Sequence, residues 1–539
     1  MKRSLLIIAF LVFQWGSAQI EDALVFFADK ENVAASIANP ITILTQDAID
    51  RKQLHGTVID ARDVPVNENY ITQLKNTPGI TVYAKSKWMN AVYVRGTQTT
   101  IENLLSLSFV TQVEFMNKNL NFAPAASGPN DKFAFETQQG RTIYNYGAAT
   151  NQVEMLAADY LHEQDLTGDG MVIAVLDSGF PNVTSNPAFA EIISEGRLLG
   201  TYDFAERQVN VDGTGSHGAL TFSDIGGFLL NEFVGTAPEA SFYLFRTEYA
   251  PTENPVEEAW WVEALERADS LGVDVVNTSL GYQDFDDPSY DHTYQDLDGE
   301  TTIAARGANH AFDKGMLLVT SAGNDGNGFT FVATPGDAIG ILTVGAVDED
   351  GNYASFSSIG PTVDGRVKPD VMAQGRDAAV VSQNGNVTTA SGTSFSSPIM
   401  AGAVACLWQA RPELRNDQVM QIVRESADLY NNPTPQMGYG IPNFEEAYNA
   451  ALLLGAEEFF LEQQFAVYPN PVVDLLNVSF PKNISGATLE LYNVLGEKVL
   501  SKEISKTDNY VNLSHFASGM YIATIRSGDA GNAFKIIKK

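Results

Sequence analysis

The chain has 539 residues, of which 44% are hydrophobic and 18% are charged, and this balance is typical of folded globular domains. The length suggests about three domains. The formal net charge of −33 disfavours nucleic acid or an anionic membrane as a partner. The one cysteine, Cys406, excludes a framework of disulfides, and the small residues around it predict a buried packing residue in a helix.

The N-terminus has the pattern of a secretory signal peptide. Lys2 and Arg3 precede an apolar run, Leu5 to Trp15, that is too short to span a membrane, and small residues up to Ala18 follow it. We therefore predict a signal peptide over residues 1–18 and an exported protein. No later segment predicts a transmembrane helix.

The next segment, residues 19–116, predicts a small α+β domain. The predicted strands are Ala23–Phe27, Ala91–Arg95 and Phe109–Phe115, and the predicted helices lie within Pro40–Gln53 and over Gln98–Leu107. Residues 117–143 are polar and contain Ala126-Ser127-Gly128-Pro129-Asn130, which is the composition of a linker that a protease can cut.

Residues 144–455 alternate predicted strands with predicted helices, a pattern that indicates a parallel sheet. Glu257–Leu271 is a predicted helix with Trp261, Leu265 and Ala268 at helical spacing. The predicted strands are Met171–Leu176, Ser241–Phe245, Val273–Ser279, Met316–Ser321 and Ile341–Val347.

Three segments of this region supply the residue types of a nucleophilic site. Asp177 ends a buried strand, His217 follows a glycine-rich loop and starts a helix, and Ser394 precedes Pro398 and a small-residue helix. A serine hydroxyl becomes a nucleophile when a base takes its proton. An imidazole, whose unperturbed pKa is about 6.5, can be that base, and a buried carboxylate can orient the imidazole. The three residues are far apart in sequence, so only a fold can bring them together.

A fourth segment could stabilise negative charge. Asn324 follows the predicted strand Met316–Ser321 and offers a neutral side-chain donor, which acyl transfer needs at its oxyanion. Each of the four motifs alone is commonly a turn or a strand end, but their joint occurrence in order favours a catalytic site. The other histidines are interpreted as structural or solvated: His55, His162, His292, His310 and His515.

These segments resemble the subtilase family of serine proteases, from about Tyr144 to about Ala450. The order Asp177, His217, Ser394 is that of subtilisin, and the resemblance extends to Val275–Gly281, Ser355–Pro361 and Gly365–Val371. One departure is Ala219, where the family usually has threonine.

The resemblance implies a secreted serine endopeptidase that cleaves extended polypeptides through an acyl-enzyme on Ser394. It implies that Asn324 lies in the oxyanion hole and that Ser279, Leu280 and Gly281 pair with the substrate backbone. The chemistry then requires no cofactor, and residues 19–116 are a pro-domain that blocks the site until it is cut away. A catalytically inert surface binding protein on the same scaffold is the alternative function.

The last segment, residues 464–539, differs in charge, with eight Lys or Arg against six Asp or Glu. Short alternating strands, such as Leu489–Asn493 and Met520–Arg526, predict a small antiparallel β-sandwich. Tyr468-Pro469-Asn470-Pro471, Leu491–Gly496 and the terminal Lys538-Lys539 resemble the C-terminal sorting domain of the type IX secretion system. This resemblance implies that the secretion machinery is a partner and that a Gram-negative host releases the protein or holds it on its surface. A carbohydrate-binding module is the alternative, but no tryptophan cluster favours it.

An acidic loop is a candidate metal site. It contains Asp284, Asp286 and Asp287, followed by Asp296–Glu300, and it lacks the ligand spacing of an EF-hand. The loop is interpreted as solvated, with structural calcium as the alternative. The predicted fold class is therefore an α/β, subtilisin-like parallel-sheet domain between a small α+β pro-domain and a small antiparallel β-sandwich.

Overall fold

The computed structural model describes residues 19–121, 144–213, 215–326, 328–462, 465–480, 484–527 and 530–539. The predicted signal peptide lies outside the described residues, as does the linker segment 122–143 with its predicted cleavage site. The chain divides into two compact units, Met1–Tyr448 and Asn449–Lys539. Within the described residues, no helix combines the length and the hydropathy that crossing a membrane requires.

The N-terminal region, residues 19–121, is an antiparallel sheet with short helices, as predicted. Its strands are β1 (Ile20–Phe27), β2 (Thr81–Ser86), β3 (Ala91–Thr97) and β4 (Val110–Phe115), in the order β2-β3-β1-β4. Its helices are α1 (Val33–Ala38), α2 (Gln46–Leu54), α3 (Glu68–Lys75) and α4 (Gln98–Glu102). The predicted helix over Gln98–Leu107 was too long, because a 3₁₀ turn replaces it from Asn103 to Ser106.

Strand alternation gives this sheet two apolar faces. Val25 and Val92 point into the core of the N-terminal region itself. Leu24 and Tyr93, one position away on the same strands, share a second core with Trp261 of the region that follows. The N-terminal region therefore packs against its neighbour through buried apolar side chains.

The central region, residues 144–448, is built on a seven-stranded sheet in the order β13-β12-β11-β10-β5-β9-β6, and its strand pairs are parallel. The strands are β5 (Val172–Asp177), β6 (Leu198–Asp203), β9 (Ser241–Arg246), β10 (Val275–Thr278), β11 (Leu317–Ser321), β12 (Leu342–Val347) and β13 (Val371–Gln374). Two hairpins add β7 (Phe228–Leu229) with β8 (Phe233–Val234), and β14 (Ala378–Val381) with β15 (Val387–Ala390). From β5 the chain continues to β6 and β9 on one side of the sheet, and from β10 it continues to β11, β12 and β13 on the other side. Open α/β sheets place their sites in the crevice between two strands at which the strand order reverses in this way.

Helices cover this sheet. They are α5 (Thr150–Glu154), α6 (Ala158–Glu163), α7 (Ala190–Ser194), α8 (His217–Gly226), α9 (Val256–Leu271), α10 (Ile303–Asp313), α11 (Thr393–Ala410), α12 (Asn416–Glu425) and α13 (Phe444–Glu462). Helix α11 is buried from Thr393 to Trp408 and lies against β10, β11 and β12. Cys406 is buried in it as a free thiol, as predicted.

The C-terminal unit contains two antiparallel sheets around one apolar core, as the predicted β-sandwich requires. The first sheet pairs β16 (Ala466–Tyr468), β17 (Leu475–Ser479) and β20 (Tyr510–Asn512). The second has the order β19-β18-β21-β22, with β18 (Gly486–Tyr492), β19 (Lys498–Ser505), β21 (Gly519–Ser527) and β22 (Ala530–Lys538).

Candidate active site

A hydrogen-bonded pair of Asp177 and His217 forms the centre of the site. Asp177 is the last residue of β5 and is fully buried, and His217 is the first residue of α8. The His217 Nδ1–H group donates to both carboxylate oxygens of Asp177, at 2.9 and 3.0 Å. A side chain on Gly218 would place its Cβ 2.9 Å from the Cβ of Asp177, so glycine is required where α8 approaches β5.

Two further residues hold the Asp177 carboxylate, and sequence analysis did not identify either. The Ser178 backbone N–H donates to Oδ1 at 2.7 Å, and the Thr221 hydroxyl donates to Oδ2 at 3.1 Å. Thr221 lies four residues after His217 on α8, so the spacing of one helical turn could have indicated that both face the same strand end. The buried carboxylate therefore has hydrogen-bond donors on both of its oxygens.

The charge of Asp177 changes the basicity of His217. This negative charge raises the pKa of His217 above its ordinary value, although burial acts in the opposite direction. The side chain of His217 remains 34% exposed, whereas that of Asp177 is inaccessible. One ring edge of His217 is thus fixed by the protein while the ring remains open to a ligand.

Ser394 is the second residue of α11, in a first turn whose backbone N–H groups have no helical partners. Pro398 lies inside α11, in its second turn, as the sixth helical residue. Since proline has no N–H, it cannot bond to the carbonyl oxygen four residues earlier, which belongs to Ser394. The Ser279 hydroxyl donates to this oxygen instead, at 2.8 Å. Ser279 thereby ties the start of α11 to the end of β10.

The Ser394 hydroxyl donates weakly to the Ser279 carbonyl oxygen, at 3.4 Å. Among the described contacts, none joins it directly to His217. The ring of the next residue, Phe395, lies 5.8 Å from the His217 ring, so the two helix starts are neighbours. The structure thus brings the three predicted catalytic residues into one crevice, with the hydroxyl turned toward β10.

Asn324 lies in the loop after β11, beside the start of α11. Its Oδ1 accepts from the Thr393 N–H at 2.9 Å and from the Thr393 hydroxyl at 3.1 Å. These bonds fix the orientation of the amide, so its NH₂ group is the side left free. Within the described residues, neither Asn324 Nδ2 nor the Ser394 backbone N–H has a protein partner.

Ser279, Leu280 and Gly281 continue from the end of β10 without entering the sheet. The ladder ends at Thr278, and the next backbone bond of this segment joins Tyr282 N–H to the Thr334 carbonyl. In the part of the chain that the structure describes, the backbone groups of Leu280 and Gly281 have no partner. The segment therefore presents unpaired backbone beside Ser394.

The described residues contain one group of carboxylates close enough to share a metal, namely Glu248, Glu253 and Glu257, whose oxygens lie within 4.8 Å of one another. Burial raises the pKa of Glu248 to about 8 and that of Glu257 to about 9. Glu248 accepts from the Tyr282 hydroxyl at 2.7 Å. Burial thus favours the protonated form of both carboxyls. Structural calcium in the separate loop Asp284–Glu300 stays the alternative to a solvated loop.

The other histidines occupy structural positions or the surface. His162 is buried, accepts from the Tyr146 hydroxyl at 2.6 Å and donates to the Thr236 carbonyl at 3.0 Å. Burial lowers its pKa to about 4. His292 bonds to Glu258 at 2.7 Å, and His515 is exposed.

Comparison with protein families gives three matches along the chain. Residues 168–441 match the Subtilase family, and residues 22–132 match the Peptidase S8 propeptide domain of Bacteroidota. Residues 466–539 match a Secretion system C-terminal sorting domain, which indicates export.

Curated relatives support the same assignment. The serine protease AprX of Bacillus subtilis (strain 168) is 29% identical over 53% of this chain and 67% of its own length. Subtilisin Savinase of Lederbergia lenta is 27% identical over 55% of this chain and 97% of its own. The membrane-bound transcription factor site-1 protease of Rattus norvegicus is 32% identical over 47% of this chain but only 22% of its own length. Because the family model matches half of the chain around this Asp, His and Ser geometry, the chain belongs to the subtilase family, the subtilisin-like serine endopeptidases.

Proposed function

We propose that this protein is a secreted endopeptidase that hydrolyses extended polypeptides through an acyl-enzyme on Ser394. The observation that carries the proposal is the bond from His217 Nδ1–H to the buried carboxylate of Asp177, beside the start of α11. This bond keeps the proton of neutral His217 on Nδ1, so the lone pair on Nε2 is free to act as the base.

The chemical steps follow from this arrangement. The Ser394 hydroxyl turns from the Ser279 carbonyl toward His217, gives its proton to Nε2, and its oxygen attacks the peptide carbonyl carbon. Such hydrogen bonds are commonly long before substrate binds. The imidazolium, stabilised by Asp177, then protonates the leaving amine. Water, deprotonated by His217, releases the acyl group from Ser394 in the second half of the reaction.

Asn324 and the Ser394 backbone N–H would stabilise the oxyanion. Both are donors without a partner among the described residues, and the Asn324 amide is already oriented by Thr393. Donors that are fixed before the reaction cost no reorganisation when the charge develops. The unpaired backbone of Leu280 and Gly281, with Ser279, would pair with the substrate as an added strand.

The pro-domain would act as an intramolecular inhibitor. It packs on α9, where Glu266 accepts hydrogen bonds from the Ser86 hydroxyl at 2.6 Å and from the Lys87 and Trp88 backbone N–H groups at 2.7 and 2.9 Å. These contacts support a pro-domain that stays docked when the linker is cut.

The C-terminal unit would direct the chain to the type IX secretion machinery. The alternative of an inert binding protein does not account for the oriented Asp177–His217 pair.

Ser394→Ala should abolish peptide cleavage and leave the fold intact, because it removes the nucleophile only. The expected loss in kcat is about 10⁶-fold, measured with casein or a fluorogenic peptide. Ser396→Ala is the matched control, since that hydroxyl donates to the Thr393 carbonyl at 3.0 Å and should not affect the reaction. Wild-type turnover by Ser394→Ala would exclude the acyl-enzyme.

Asn324→Ala should lower kcat by about 10²–10³, which is typical when one oxyanion donor is removed. KM should change little, because the donor serves the transition state. Steady-state kinetics would measure both constants, with the exposed neighbour Asp325→Ala as the control. An unchanged kcat would remove Asn324 from the oxyanion hole.

The value of kcat/KM should rise with pH as His217 loses its proton. Because Asp177 raises the pKa of His217, the midpoint should lie above the ordinary histidine value, and activity should fall below it. In Asp177→Asn the midpoint should move down, since burial remains while the negative charge is gone. A profile flat from acid to neutral pH in the wild-type enzyme would contradict a histidine base.

A chain that ends at Glu462 should still fold and cleave peptide once its pro-domain is removed, but it should remain in the periplasm of its native host. The residues removed contain none of the catalytic groups and have a core of their own. Cell fractionation and the melting temperature would be measured together. Normal export of the truncated chain would refute the sorting role. Lost activity would indicate that the C-terminal unit supports the structure of the protease domain.

A further inference from the structure

Lys118, at the start of the predicted linker and within the propeptide match to residues 22–132, is held by a single loop of the protease domain. Lys118 lies just after β4, and its ammonium donates to the Asp291 carbonyl at 3.1 Å, to His292 Nδ1 at 3.1 Å and to Asp296 Oδ2 at 2.7 Å. An ammonium has three protons, so three acceptors satisfy it completely. The loop Asp284–Glu300, predicted as a solvated acidic segment, therefore contains a binding pocket for a cation.

Residues of the protease domain alone hold these acceptors in place. Asp296 Oδ2 also accepts from the Thr293 N–H at 2.7 Å and from the Thr293 hydroxyl at 2.8 Å. His292 Nε2–H donates to Glu258 at 2.7 Å, and this bond leaves Nδ1 as an acceptor. Glu258 in turn accepts from the Ala304 N–H at 2.9 Å. The pocket needs nothing from the pro-domain to keep its shape, so it can persist after the pro-domain leaves.

The pocket belongs to the loop that follows, in sequence, the segment proposed to bind substrate. Its loop begins immediately after Gly281 and Tyr282, and a cavity of about 630 Å³ separates it from the end of the pro-domain sheet. Glu258, His292, Asp296 and Arg306 line the protease side of this cavity, and residues 112–121 line the other. Removal of the pro-domain would convert the cavity into an open groove with an empty cation pocket.

We propose that this pocket is an exosite of the mature enzyme for a lysine or arginine side chain of the polypeptide substrate, N-terminal to the cleaved bond. Lys118 occupies it in the precursor and, in the same chain, precedes Ala126–Asn130, the segment of the linker in which cleavage is predicted. A substrate that binds with the same chain direction as this segment places its basic residue N-terminal to its own cleaved bond. The inference rests on the proposed endopeptidase function and adds a substrate preference to it.

The solvent exposure of the Lys118–Asp296 ion pair sets the size of the expected substrate preference. The Lys118 side chain is 35% exposed and that of Asp296 is 15% exposed, so the pair is partly screened by water. We expect a gain in kcat/KM of about three- to tenfold for a substrate with the basic residue. Higher ionic strength should reduce this gain.

The test uses mature enzyme freed of its pro-domain and two fluorogenic peptides that copy residues 112–141. One peptide keeps Lys118, and the other has norleucine there, which preserves the length of the side chain but lacks the charge. The enzymes are wild type, Asp296→Asn and Asp298→Asn. Asp298 is the matched control, because its carboxylate accepts from the Glu300 and Thr301 backbone N–H groups at 2.9 and 2.8 Å within its own turn.

Wild type and Asp298→Asn should prefer the lysine peptide three- to tenfold, and Asp296→Asn should cleave both peptides equally. Equal cleavage by wild type would overturn the exosite, and so would a preference that survives in Asp296→Asn. Casein cleavage by wild type, lost in Ser394→Ala, reports the endopeptidase activity separately, so failure of the exosite and failure of the proposed function give different results.

Discussion

A buried negative charge, the carboxylate of Asp177, is the constraint on which the site depends. A carboxylate without contact to water is costly unless donors surround it. Here His217 and Thr221, one turn apart on α8, and the backbone N–H of Ser178, directly after β5, supply those donors. The same bonds that make the charge tolerable also orient the imidazole. The stability of the buried charge and the orientation of the His217 ring are therefore two consequences of one cluster at the end of β5.

A second connection joins this cluster to Ser394. Pro398 frees the Ser394 carbonyl from the helical ladder, and the Ser279 hydroxyl takes that oxygen as its acceptor. Ser279 belongs to the strand end beside β5, so the start of α11 is positioned by the same sheet that carries Asp177. A change in the sheet would thus move the Asp177 carboxylate and Ser394 together.

The interface between the pro-domain and the protease domain combines apolar packing with buried charges. Asp269 Oδ1 lies 2.6 Å from both Arg51 Nη2 and Lys52 Nζ, and Lys314 lies 2.7 Å from Asp63. Each domain contributes charges of both signs, so a misaligned interface would leave buried charges unpaired, which costs several kcal/mol. The interface therefore selects one docked geometry. The Lys118 pocket lies at the edge of this interface, where the contacts are more exposed and a substrate side chain can more easily replace Lys118.

Local sequence patterns were sufficient to predict the strands and helices that carry Asp177, His217 and Ser394, because a buried strand or a helix start is visible within about ten residues. They also indicated the β-sandwich and the α+β pro-domain. They did not reveal the bond from Thr221 to Asp177, the bond from the Ser279 hydroxyl to the Ser394 carbonyl, or the role of the acidic loop in holding Lys118. Those features depend on hydrogen bonds between segments that are distant in sequence. Only the packing of the sheet, α8, α11 and the pro-domain decides which donor meets which acceptor.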